Sequence, residues 1–156
     1  MLQANVAQLF EYQRERLQLL LVCGNLDAPI AINHQHASPA DLVGHLNLIH
    51  PDRIQVIGAP EINWATQQHA VRVSRHMDEI IASHPPAVIV ADGCPIPATV
   101  REACERSSTA LFSTPQAAAT VIDLLRIWLS GQLAETAELH AVMMDVLGMG
   151  VLITGD

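Results

Sequence analysis

The sequence has few aromatic residues, few charges and no grouped cations. Aromatic side chains make up 3% of its 156 residues, so the core must be built from Val, Ile, Leu, Ala and Met. Charged residues are 15% against 50% hydrophobic, a balance that excludes a disordered chain and specifies one globular unit large enough to have its own core. Eight basic side chains face sixteen acidic ones, for a formal charge of -8, and no Lys/Arg cluster exceeds a scattered pair. Nucleic-acid backbones are gripped by grouped cations, so such a partner is disfavoured. Cys23, Cys94 and Cys104 are odd in number and share no Cys-x-x-Cys spacing, which fits buried thiols in a reducing compartment. No basic amino-terminal region precedes an apolar core, and no apolar run nears the roughly 20 residues that span a bilayer. A cytoplasmic protein with no membrane partner is expected.

What the chain does contain is a succession of short apolar runs and amphipathic stretches. Residues 6–16 read as a helix with Val6, Leu9 and Phe10 inward. The run at 17–23, ending at Gly24-Asn25, reads as a buried strand and a turn. Residues 54–57 form a short strand closed by Gly58-Ala59-Pro60, with a brief helix over 61–65. The next helix spans 73–83, with Val73, Met77, Ile80 and Ile81 along one side. After His84-Pro85-Pro86 the unbroken run Ala87-Val88-Ile89-Val90-Ala91 is the pattern of a strand covered on both faces. Asp92-Gly93 turns into a helix from Pro97 to about Arg106, facing Val100, Ala103 and Cys104 inward. A strand at 110–113 precedes Thr114-Pro115, a helix start, and a stripe of Val121, Leu124, Leu125, Trp128 and Leu129 that stops at Gly131. Alternating strands and helices predict an α/β layer with parallel pairing over 54–131. Residues 132–138 are polar and without period, and read as a linker.

Chemistry-bearing residues are sparse. His34, His36, His45 and His50 have no acidic or thiol partner at a recognised ligand spacing, so no metal is expected. The eight histidines can offset much of the negative charge below about pH 6. Asp92-Gly93 lies where open α/β sheets bind small ligands, but without a phosphate fingerprint an ordinary turn is favoured. Asp145 sits in a strand pattern and faces solvent or another chain. The Trp128 face is core or subunit contact. Cys94 has no nearby cation to activate it.

The end of the chain is the most specific stretch. Two apolar runs, over 142–147 and 151–154, bend around Gly148-Met149-Gly150 and read as two short strands. The second runs into Gly155-Asp156, as a strand runs into a phosphate-binding loop, although the Gly-Lys-Ser/Thr that completes such a loop is absent. His140, Asp145, Gly148, Gly150 and Val151-Leu152-Ile153-Thr154-Gly155-Asp156 resemble the bacterial HPr kinase/phosphorylase family, whose nucleotide loop begins Val-Leu-Ile-Thr-Gly-Asp-Ser-Gly-x-Gly-Lys-Ser. Ala141 stands where the family usually has glycine. The stretches from Gly44 to Gly58 and from Val121 to Leu129 resemble the amino-terminal domain of the same family.

The resemblance implies a layered parallel-sheet domain over 1–131, similar to the substrate domain of the muramyl-peptide ligases. It implies a linker over 132–138 and the first strands of a P-loop kinase core over 139–156. It implies His140 as an active-site histidine, and Gly155 and Asp156 as the start of an ATP-binding loop cut short. The whole enzyme would phosphorylate a serine of the phosphocarrier HPr with ATP and Mg2+, reverse this by phosphorolysis, and assemble as a hexamer. The 156 residues alone would be inactive and hold no cofactor. The rival reading is a non-catalytic α/β module that binds a ligand or regulates an enzyme; a reading frame continuing Ser-Gly-x-Gly-Lys-Ser/Thr decides for the kinase.

Overall fold

A computed structural model describes residues 4–30, 42–46 and 53–147, with side chains described as far as residue 132. Strand β1 (Ala4–Asn5) leads into helix α1 (Val6–Gln13). Then come β2 (Leu20–Cys23), β3 (Pro29–Ile30), β4 (Val43–His45), β5 (Ile54–Ile57), α2 (Ala59–Gln67), α3 (Ala70–Ile81), β6 (Ala87–Val90), α4 (Ala98–Ser107), β7 (Ala110–Ser113) and α5 (Ala118–Leu147). Strands β4, β5, β6 and β7 pair in parallel in the order β2-β7-β6-β5-β4, with β2 antiparallel at the far edge. β1 and β3 form a separate antiparallel pair.

Both faces of the sheet are covered, which is why β6 is apolar at every position rather than at alternate ones, and β5 at every position but the buried Gln55. All four residues of β5 and of β6 are buried. One face packs Ile54, Val56, Ile89 and Phe112 against α1 and α5, whose contributions are Leu9, Val121, Leu125 and Leu129. The other packs Val88, Val90 and Leu111 against α2, α3 and α4 through Ile62, Met77, Val100 and Cys104. The inward stripes read from α3, α4 and the first half of α5 are the buried ones, with Leu124 half-buried at the rim.

Three expectations are corrected. The run at 17–23 is not one buried strand: Gln18 adopts a left-handed backbone (φ 52), so Leu17 and Leu19 plug the core from a turn, and only Leu20–Cys23 pairs, at the edge, with Leu20 65% exposed. The third helix stripe does not stop at Gly131, and residues 132–138 are not an extended linker, because α5 runs unbroken to Leu147. The strand expected at 142–147 is that helix's last turns. Ala, Leu, Glu, Gln and Met dominate 132–144, and these side chains lose little freedom in a helix, so one glycine costing about 1 kcal/mol does not end it. A helix also satisfies its own amides, whereas a strand needs neighbours. The second strand, at 151–154, lies outside the described residues.

Packing on the α2–α4 face sets a pH dependence. Burial pushes the Cys104 thiol up to about 12 from its ordinary 9.0, with Cys23 and Glu105 adding to the effect. The unfolded chain therefore loses this proton above about pH 9 while the folded chain keeps it, so the stabilisation is complete below pH 9 and is lost as pH rises towards 12. Urea midpoints should fall between pH 9 and 11, and Cys104→Ala should flatten that decline. An unchanged slope in the variant would show that the thiol ionises freely in the fold.

Candidate functional site

The carboxyl ends of the parallel strands carry a concentration of polar chemistry that several elements build together. At the end of β6, Asp92 takes a left-handed backbone (φ 61) and is followed by Gly93 (φ 65). Asp tolerates this region better than most side chains because its short polar group bonds locally. Here its bonds are not local. Oδ2 accepts the amide of Ala59 at 2.7 Å, and Oδ1 accepts the amide of Ala118 at 2.9 Å. These are the first residues of α2 and α5, helices on opposite faces of the sheet, so one carboxylate meets the positive ends of both layers.

The surrounding turns are built around this contact. A side chain at Gly58 would place its Cβ 2.8 Å from Asp92 Oδ2, so glycine is needed for the carboxylate to approach. Glu61 Oε1 accepts the Gly58 amide at 2.7 Å, which satisfies a second donor at the start of α2. Thr114, read as the cap of the last helix, instead donates its hydroxyl to the Leu17 carbonyl and accepts the Gln116 amide. It ties β7 to the turn before β2, and α5 begins four residues later under the Asp92 carboxylate.

This arrangement occupies the Asp92 carboxylate at the strand ends, where a parallel sheet would take a ligand. Both Asp92 oxygens are committed, and the favoured turn reading of Asp92-Gly93 agrees with that. Cys94 is beside the same turn. Burial raises its pKa, and Asp92 and Glu61 raise it further, so it remains a thiol at neutral pH and a poor nucleophile. His45 Nδ1 lies 3.7 Å from Glu61 Oε1, too long for a hydrogen bond. Among the described residues no three His, Cys, Asp or Glu side chains could hold a metal ion together. A hollow of about 220 Å3 lies nearby, lined by Gln68, Val73, Pro97 and Thr99, and no charged group points to a ligand there.

None of the site residues expected from the family resemblance has a described side chain. His140 and Asp145 fall in the carboxyl-terminal part of α5, where backbone alone is described. Gly155 and Asp156 lie outside the described residues, as do His34, His36 and His50. Trp128 is 8% exposed and belongs mainly to the core. The whole sequence contains no lysine, and all eight of its basic residues are arginines. Among the described residues there is no lysine and no group of ion-holding side chains, so none of them is assigned to ATP or Mg2+. What sequence reasoning missed is the bridging role of Asp92; an aspartate directly after a buried strand and before glycine was the one signal for it.

Residues 4–129 match the family described as HPr Serine kinase N terminus. A protein named HPr kinase/phosphorylase from Azoarcus sp. (strain BH72) is 54% identical over 156 residues, covering 100% of this chain and 50% of that protein. Another so named, from Aromatoleum aromaticum, is 53% identical over the same length and shares. One from Paraburkholderia xenovorans is 57% identical over 119 residues, covering 76% of this chain and 37% of that protein. The chain thus spans about half the length of the curated relatives it matches over its full length. With its two-faced parallel sheet and the match over 4–129, the chain belongs to the HPr serine kinase amino-terminal family.

Proposed function

We propose that the chain is the amino-terminal part of a bifunctional enzyme that phosphorylates a serine of HPr with ATP and Mg2+, and removes the phosphate by phosphorolysis with release of pyrophosphate. The observation that carries this reading is the 54% identity across all 156 residues to a relative named for both activities. In this division residues 1–131 are the amino-terminal domain, similar to the substrate domain of the muramyl-peptide ligases. Residues 132–138 connect it to 139–156, the opening of a P-loop kinase core. Gly155 and Asp156 open the ATP loop, with His140 beside it.

Phosphoryl transfer rests on positioning and on neutralising charge at the transferred group, and the cationic and metal-holding parts belong to the remainder of the enzyme. By itself the 156-residue chain acts as a non-catalytic module. The second reading is a non-catalytic regulatory or ligand-binding α/β unit. No helix among the described residues is long and apolar enough to cross a membrane; a cytoplasmic location is part of the same proposal. Its assembly is hexameric on this reading.

The test is the reverse reaction. A protein of the relatives' length, given phospho-HPr, inorganic phosphate and Mg2+, should release pyrophosphate and regenerate HPr. Release of inorganic phosphate without consumption of the added phosphate would mark a simple phosphatase and remove the phosphorylase half of the proposal.

A further inference from the structure

A chain with two Trp, one Tyr and two Phe has few aromatic groups to spare for water, yet its only tyrosine is 54% exposed on α1. The Tyr12 ring lies 6.0 Å from that of Trp128 on α5, and the Arg16 guanidinium lies 5.4 Å from its centroid. Ile127, next to Trp128, is 68% exposed. Leu124, half-buried, and Gly131 continue the same stripe of α5, at three- and four-residue spacings. Hollows of about 340 and 200 Å3 border Tyr12 and Trp128. Gln13, 1% exposed, lines the smaller one, and its Oε1 is buried with no hydrogen-bond partner among the described residues.

Gly131 has no role inside the described fold. Outside its own helix backbone, none of the described residues comes within 4 Å of the place a Cβ would occupy, and glycine within a helix costs about 1 kcal/mol relative to alanine. A bare turn of helix beside exposed Ile and Tyr lets another surface approach closely. Tyr, Trp and Arg around an apolar centre are also the side chains that dominate protein interfaces.

We propose that this face of α1 and α5 is the seat of the second half of the polypeptide, the part that the relatives have beyond the residues matched here. The inference rests on the reading of the chain as the amino-terminal part of an HPr kinase/phosphorylase. The matched residues make up 50% of those relatives, so a unit of similar size shares the chain with this one. The connection is the helix that carries the face: α5 runs on from Gly131 to Leu147, about 24 Å along its axis. Tethering of this kind supplies an effective concentration on the order of millimolar, so a modest apolar patch suffices to hold the second half in place.

The test introduces Ile127→Cys into a protein of the relatives' length and attaches a photoactivatable label to the new thiol, located by peptide mapping. Ile127 is exposed, so the exchange leaves the fold intact. Illumination should capture peptides from beyond residue 156, and alkylation at position 127 should be at least tenfold slower than in the 156-residue chain. Capture of peptides from residues 4–147 would assign the face to a second copy, and capture only of added HPr would assign it to the substrate; either overturns the proposal. No capture, with equal alkylation in both proteins, overturns it by showing an open surface. Phospho-HPr formation by the same variant separates the two ideas, since activity without capture defeats the docking face and leaves the enzyme assignment standing.

Discussion

Asp92→Ala should destabilise the 156-residue chain by about 2–6 kcal/mol, the combined loss of two helix-terminal acceptors at about 0.5–2 kcal/mol each and the cost of a left-handed alanine, about 1–2 kcal/mol. In a chain of this size that lowers Tm by roughly 10 °C. Two further variants separate the contributions. Asp92→Gly keeps the left-handed turn (φ 61) and loses only the bonds to the Ala59 and Ala118 amides. Asp92→Asn keeps one acceptor and tolerates the turn, so it should cost about 1 kcal/mol. The expected order of Tm is wild type, Asn, Gly, Ala. A Gly variant as stable as wild type would show that the carboxylate does not fasten the two helix layers.

The second large effect belongs to the longer protein. On the proposed reading His140 stands beside the ATP loop, so His140→Ala should lower turnover in HPr phosphorylation by at least about a hundredfold, the usual scale for loss of a positioned proton-transfer group. Its Tm should stay within a degree or two, since a histidine that acts on the reaction contributes little to packing. Unchanged turnover would return His140 to an ordinary structural position. A large fall in Tm together with turnover would do the same.

The parts of the fold legible in the sequence are those written in local periods. Ala87 to Ala91 reads as doubly covered because every residue is apolar, and each of the five is buried. The stripes Val73-Met77-Ile80-Ile81 and Val121-Leu125-Leu129 follow the helical repeat and face the core. The edge position of β2 was not legible, because an apolar run does not reveal that a left-handed Gln18 shortens it. Nor was the continuity of α5, whose second half carries β-branched Val142 and Val146 among stronger helix formers. The Asp92 clasp joins residues 33 and 26 positions apart, and no local pattern encodes such a bond. For His140, Gly155 and Asp156 the signal is a motif rather than a geometry, and it has meaning only through the family to which the chain belongs.

The most direct test of the whole account is phosphate transfer by two chains side by side. The 156-residue chain and a protein of the relatives' length are each incubated with HPr, Mg2+ and ATP labelled on its terminal phosphate. The longer protein should label a serine of HPr and the 156-residue chain should leave it unlabelled, as a chain without a lysine to hold the phosphates should. Labelled HPr from the 156 residues alone, or none from the longer protein, would contradict the assignment.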